Sequence, residues 1–306
     1  MMFLYSGRVE SPITEIDPGL VTTSREPDYD PYDLMMSDHF DSSAIAIGVV
    51  TQNEISGIEF SSACDRKLWA INDSGNGPFL YLLDGKTAEI QCTYHLPNLI
   101  NIDWEDISLS RQNDGSSYLL IGDLGNNFLN RTKQQIYRFK EPDCQCENEG
   151  KINIRTDYEK FDFVYPDGPH NAEAFFVDDE TQDIYIITKE NKRSGVYLFP
   201  SPQQSGQTHT LTYLGSLPFP LAVAADYCLE TKTLFIKTYE KIFMWENYEN
   251  KKISDLIFDP PMNAPYHPVE LQGESLCIGP SGYYTLSEKV LGIEPILYFY
   301  NKKIIR

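Results

Sequence analysis

The chain lacks long apolar runs: nothing in it approaches the roughly 18 residues of a membrane-spanning helix. It is short of positive charge, with 25 Lys and Arg against 45 Asp and Glu, a formal charge of −20. Such a surface repels nucleic acid and anionic membranes, so neither is expected as a partner. Histidine is scarce at 5 residues, and the 6 cysteines are scattered, which leaves no ligand set spaced for zinc. A nucleophile-elbow Gly-x-Ser-x-Gly is missing, as are a Walker loop, a His-Glu-x-x-His motif and a dinucleotide-binding glycine pattern. Helical periodicity is missing too, because Gly and Pro break every candidate stripe. The opening MMFLY has no basic leader and too short an apolar core for a signal peptide. Either the protein is cytoplasmic or the chain lacks its natural start.

What is present is a repeat. Segments 56–60, 105–109, 173–177, 226–229 and 274–278 can be laid over one another, and each begins with an oxygen-bearing side chain. A second strand follows each and ends in an acid, and a third apolar segment follows that. The period is about 50 residues, the signature of a β-propeller. The 20 Tyr and 16 Phe suit strands. Turn signals at 113–115, 178–183 and 280–282 join first to second strands. Five units fill the chain, so an all-β propeller of five blades is expected, with six as the alternative. The last unit has room for three strands only. Residues 44–50 are expected to supply its fourth and close the ring. The domain expected is therefore 44–306, preceded by an irregular extension over 1–43 that wraps it or is partly mobile. The long interval between the second and third units marks an insertion near 141–151.

Inner strands of a propeller surround one axis, so Ser56, Glu105, Glu173, Asp226 and Glu274 should converge at its mouth. An antiparallel second strand returns to the same mouth, which adds Asp73, Asp123, Glu190, Glu240 and Glu288 as an outer ring. A single acid at a strand start reads as a cap or as an acceptor for backbone N–H groups. Repeated at equivalent positions on one axis, the set reads as a metal site. Many hard oxygen ligands favour calcium over magnesium or zinc. His170 and Asp167, in the loop entering the third unit, are the candidate general acid or base. Arg131, Lys133, Lys189, Lys192 and Arg193 follow second strands and are placed to grip an anion, or stand as solvated loop charges. Cys228 and Cys277 fall in inner strands and read as buried thiols. Cys144 and Cys146 lie in a polar loop, as a disulfide partner or a redox-labile pair. Asn72 and Asn130 open glycosylation sequons, a mild indication of secretion.

The segments NDSG at 72–75, DWEDI at 103–107, GDLGNN at 122–127, YPDGPHNAEA at 165–174 and TKE at 188–190 carry a resemblance. Over roughly residues 54–290 the chain resembles a family of largely uncharacterised, mostly secreted bacterial β-propellers with similar motifs. More distantly, the inner Ser and Glu positions are similar to those of calcium-dependent apyrases, and the Glu173 and Glu274 strands to propeller phytases. The resemblance implies axial calcium held by Ser56, Glu105, Glu173, Asp226 and Glu274. Asp226 departs from the Glu usual at such positions, and the nucleotide-contacting residues of apyrases are not recognisable. The expectation is a monomeric, calcium-binding propeller, extracellular or secreted, with cytoplasm as the alternative. It is either a hydrolase for a small anionic phosphate ester or anhydride, or a non-catalytic module for a protein or glycan ligand.

Overall fold

The computed structural model describes residues 24–144, 151–153 and 156–303. The chain is a five-bladed β-propeller. Strand β1 (Ile45–Val49) comes first but belongs to the last blade. Blade one is β2 (Ile55–Phe60), β3 (Lys67–Asn72), β4 (Phe79–Asp84) and β5 (Ile90–His95). Blade two opens with β6 (Trp104–Arg111), β7 (Ser117–Asp123) and β8 (Gln134–Lys140). The chain then sends β9 (Lys151–Asn153) back to lie parallel to β5, and completes blade two with β10 (Tyr158–Val164). Blade three holds β11 (Ala172–Val177), β12 (Ile184–Thr188) and β13 (Ser194–Phe199). Next, β14 (Thr208–Thr210) adds in parallel to β10, and β15 (Thr212–Leu217) closes blade three. Blade four is β16 (Ala222–Cys228), β17 (Thr233–Thr238), β18 (Ile242–Glu246), a one-turn helix α1 (Ile253–Leu256) and β19 (Met262–Ala264). Blade five is β20 (Ser275–Gly279), β21 (Gly282–Leu286) and β22 (Ile296–Asn301), with β1 antiparallel to β22. The ring is thus closed by both ends of the chain, as the repeat predicted, and no blade edge is left between first and last units.

Burial follows from this geometry. Strands β11, β12, β16, β17, β20 and β21 are buried at every residue, because each blade is covered on both faces by its neighbours. They therefore read as apolar runs and not as alternating strands. The core is split into clusters between successive blades. Trp69 and Ile71 of blade one meet Trp104 and Leu119 of blade two, and Phe176 and Ile187 of blade three meet Tyr227 and Ile236 of blade four. At the axis, β2, β6, β11, β16 and β20 contact one another in that order and back to β2. Gly57 permits the approach of β2 to β6: a Cβ there would press on the Asp106 and Ile107 backbone at 2.9 Å.

The extension follows the perimeter over its described part. Arg25 bridges to Gly215 on β15, Met36 to Asn263 on β19 and Phe40 to Lys302 beyond β22. Phe40 is buried against Phe235 and Tyr283. Cys64 and Cys144 form a disulfide between blades one and two, with Cα atoms 6.2 Å apart. Cys92 is also disulfide-bonded, Cys228 and Cys277 are buried free thiols, and Cys146 lies outside the described residues. Among the described residues no helix is long and apolar enough to cross a membrane.

Candidate metal centre

Inner strands start, and second strands end, on one face. Four inner strands carry a β-bulge at the mouth, where one extra residue is inserted: Ser56 in β2, Glu105 in β6, Glu173 in β11 and Val223 in β16. A bulge kinks the strand and re-aims a side chain. Glu274 stands just before β20, whose pairing is regular from Ser275. The mouth set is therefore Ser56, Glu105, Glu173, Val223 and Glu274.

Asp226 does not stand with them. It lies three residues deeper, where its Oδ2 accepts the Ile278 N–H at 2.6 Å. Glu59 and Asp106 act likewise within the channel. Glu59 accepts the Leu109 N–H at 3.0 Å, and Asp106 accepts those of Phe175 and Ala225 at 3.3 Å. Inner strands have one unpaired edge, and these carboxylates satisfy it from other blades: Glu59 and Asp226 from the neighbouring one, Asp106 from blade two to blades three and four. Ser56 does the same at the mouth, donating to the Trp104 carbonyl at 3.0 Å. Burial pushes Asp226 up to about 7 and raises Glu59 and Asp106 well above the usual carboxylate range. Ser56 and Asp226 are thus inter-blade links.

Three acids from blades one and two converge most closely. Oxygen atoms of Asp73, Asp103 and Glu105 fall within 4.8 Å of one another. Asp73 leaves β3, while Asp103 and Glu105 flank Trp104 at the entry to β6, two residues apart and turned the same way by the bulge. Gly125 completes a cradle: a Cβ there would collide with Asp103 Oδ2 and Glu105 Oε1. Glu105 is 5% exposed, and among the described residues no hydrogen bond or ion pair reaches its carboxylate. Burial, then the charges of Glu173, Asp73, Asp103 and Glu274, hold it well above the usual range. Burial raises Asp73 to about 6, with Asp103 and Glu274 adding to the effect.

Glu173 and Glu274 share a cation of their own. Lys189 Nζ lies 2.5 Å from Glu173 Oε2 and 3.6 Å from Glu274 Oε1. Tyr239 accepts from Lys189 at 2.6 Å, donates to Glu274, and sets its ring 4.9 Å from the ammonium. Burial raises Glu173 to about 7 against the opposing pull of Lys189, and burial with Glu274 raises Glu288 to about 8.

The outer ring divides. Asp73 and Glu288 face the mouth. Asp123 is fully buried and instead fixes the cradle, accepting from the Asp103 N–H at 3.1 Å and pairing with Arg131 at 2.9 Å. Glu190 points away to His170 Nδ1 at 2.8 Å, and Glu240 is exposed in the β17–β18 turn. In both blades the preceding residue, Lys189 or Tyr239, is the one that turns inward. Arg131 also donates to the Gly125 carbonyl at 2.7 Å, Lys133 pairs with Asp162 and Arg193 binds Ser216, so these three are structural.

His170 stands beside the mouth, in the loop before β11. Its Nε2 lies 3.0 Å from the Tyr197 hydroxyl and 3.1 Å from Asp167 Oδ1, and Tyr197 donates to Asp167 at 2.9 Å. The residues missed by sequence reasoning as ligands or counter-ions are Asp103, Lys189 and Tyr239. The first carried a signal, the Asp-x-Glu spacing of an acidic pair at a strand entry.

No family model matches the chain, and no curated protein matches it. Among solved structures, a chain of a nidogen/laminin complex is similar with a TM-score of 0.44 at 11% identity, over 79% of this chain and 78% of that one.

Proposed function

We propose that the chain is a calcium-binding propeller that hydrolyses phosphate esters or anhydrides at its acidic mouth. One observation carries the cation: Glu105, buried and with no hydrogen-bond partner among the described residues, aims with Asp73 and Asp103 into a cradle that exists because residue 125 is glycine. An all-oxygen, all-anionic donor set suits calcium and suits zinc poorly. Bound there, calcium would offset the field of these acids, hold a phosphate oxygen and position water. Asp73, Asp103 and Glu105 are the ligands. Lys189 keeps Glu173 and Glu274 paired and sets the charge beside the cradle.

His170 carries the proton-transfer role in this reading. Its Nδ1 faces the Glu190 carboxylate, and its Nε2 faces Asp167 and the Tyr197 hydroxyl. Asp167, hydrogen-bonded to Tyr197, orients the group. Calorimetric titration with calcium, paired with turnover assays on phosphate monoesters, anhydrides and lactones, tests both halves. Absence of calcium-dependent turnover on the whole panel ends the enzymatic reading; absence of calcium binding ends the reading altogether.

A non-catalytic module that engages a protein or glycan is the second reading. It is favoured by exposed apolar side chains on the mouth loops, such as Phe128 at 88% and Leu291 at 91%. Thermal stabilisation by calcium without turnover would select it. The Cys64–Cys144 disulfide and the bonded Cys92 support an oxidising compartment, hence an extracellular or secreted location.

A further inference from the structure

The two loops that build the cradle also expose apolar side chains. Ile100 and Ile102 flank the approach to Asp103, and Phe128 and Leu129 follow Gly125; they are 65%, 49%, 88% and 53% exposed. A second apolar lobe rises from blade five, with Leu271 before Glu274 and Leu291 after Glu288, 57% and 91% exposed. Blades two and five both adjoin blade one, whose mouth loop is polar: Glu54 accepts from Asn76 at 2.7 Å, beside Asp73 and Ser74. The face is therefore an acidic centre between two apolar lobes. Scattered apolar side chains on a surface need no explanation. Two groups of them on the loops that carry a buried acidic cluster do, because apolar patches with a polar centre mark recognition sites.

We propose that this face docks a polypeptide segment in which a Lys or Arg side chain is flanked by apolar residues. Charge complementarity selects this occupant. Glu54, Asp73, Asp103, Glu105, Glu173, Glu274 and Glu288 interact electrostatically at the mouth. Lys189 displays how the site accepts an ammonium, between carboxylates and over a tyrosine ring. A second ammonium or guanidinium, supplied by the partner, would reach Asp73, Asp103 and Glu105, while its neighbours cover Phe128 and Leu291. An anionic lipid surface is opposed by a chain of formal charge −20. The segment and calcium compete for the same carboxylates. The inference needs the acidic mouth but not calcium binding, so either can fail alone.

A phage-displayed library of random heptapeptides, selected on the whole chain in EGTA, tests it. Enriched peptides should carry a basic residue between apolar ones. Synthesised, the best of them should bind at least about tenfold more weakly when norleucine replaces that base, and about tenfold more weakly to a Phe128→Ser, Leu129→Ser, Leu291→Ser triple variant. The three substitutions are at exposed positions, so the variant should keep the parent melting temperature and calcium affinity. Enrichment without a basic residue, no enrichment, or equal binding to the variant would overturn the proposal. So would sedimentation with phosphatidylcholine–phosphatidylserine vesicles that the triple variant loses, in the absence of peptide binding, which would assign the face to membranes.

Discussion

Lys189 and Glu173 share a hydrogen-bond-length ion pair at 2.5 Å, in which the carboxylate is buried and the ammonium is an internal counter-ion of the mouth. Its removal leaves Glu173 without its ion-pair partner, while Glu274 keeps the electrostatic pull of Lys237. Lys189→Met should therefore destabilise the metal-free protein by about 3 kcal/mol at pH 8, the usual cost of orphaning a buried charge. At pH 5 the loss should shrink, since Glu173 escapes by taking a proton. Calcium should recover much of the loss at pH 8. Urea denaturation at both pH values, with calcium and with EGTA, gives the comparison.

The mouth also fixes how stability depends on pH. Asp73, Glu173 and Glu288 are raised to about 6, about 7 and about 8 in the folded chain. A carboxyl group whose folded value is raised binds its proton more tightly folded than unfolded. The stability this confers is complete below the unfolded values near 4 and is lost as pH climbs through the folded values. Metal-free protein should thus weaken from pH 5 to pH 8. Calcium bound as proposed would displace those protons, so its affinity should rise over the same interval and the decline in stability should flatten. Thermal melts in EGTA and in calcium across this range report both slopes; a metal-free protein that strengthens toward pH 8 would contradict the arrangement.

Five repeats, blade closure by residues 44–50 and the common mouth were legible in the sequence because they follow from strand periodicity and antiparallel return. Residue-level aim was not. Asp226 aligned with Glu105 and Glu173 by apolar pattern, yet the β16 bulge falls at Val223, and a bulge shifts register without changing composition. Glu190 and Glu240 were one residue off for a related reason. A strand end alternates sides, so a slip of one exchanges the inward and outward residue. Asp103 was visible within DWEDI, but its partnership with Asp73 joins two blades, which no period within the chain displays.

Asp103 and Asp226 should accordingly separate in mutagenesis. Asp103→Ala removes a proposed calcium ligand at a half-exposed position. Calcium affinity should fall at least about 10- to 100-fold, the range seen for weaker outer-shell losses, with little change in metal-free stability. Gly125→Ala should match it by filling the cradle. Asp226→Ala should leave calcium affinity alone and cost about 1–3 kcal/mol, because the Ile278 N–H loses its acceptor at the axis. Paired calcium titrations and denaturant melts on the three variants decide it. Loss of calcium binding in the Asp226 variant would restore it to the ligand set.

Glu141 lies at the far end of blades one and two and should respond to pH with the opposite sign. Its carboxylate accepts from Ser61 at 2.7 Å, Ser62 at 2.5 Å, Trp69 Nε1 at 2.8 Å and Ser117 at 2.5 Å. Burial works against the charge, but these donors outweigh it and hold the group below its ordinary value. A lowered carboxyl confers stability that is present above the unfolded value near 4.3 and disappears as pH falls through the folded one. Glu141→Ala should therefore cost about 3 kcal/mol at pH 7, where it strands the Trp69 and serine donors. At pH 3 the difference between variant and parent should narrow toward the smaller loss of neutral hydrogen bonds. Equilibrium urea melts of both proteins from pH 3 to pH 8 would show it. A gap that stays constant with pH would mean that Glu141 acts by packing and not by charge.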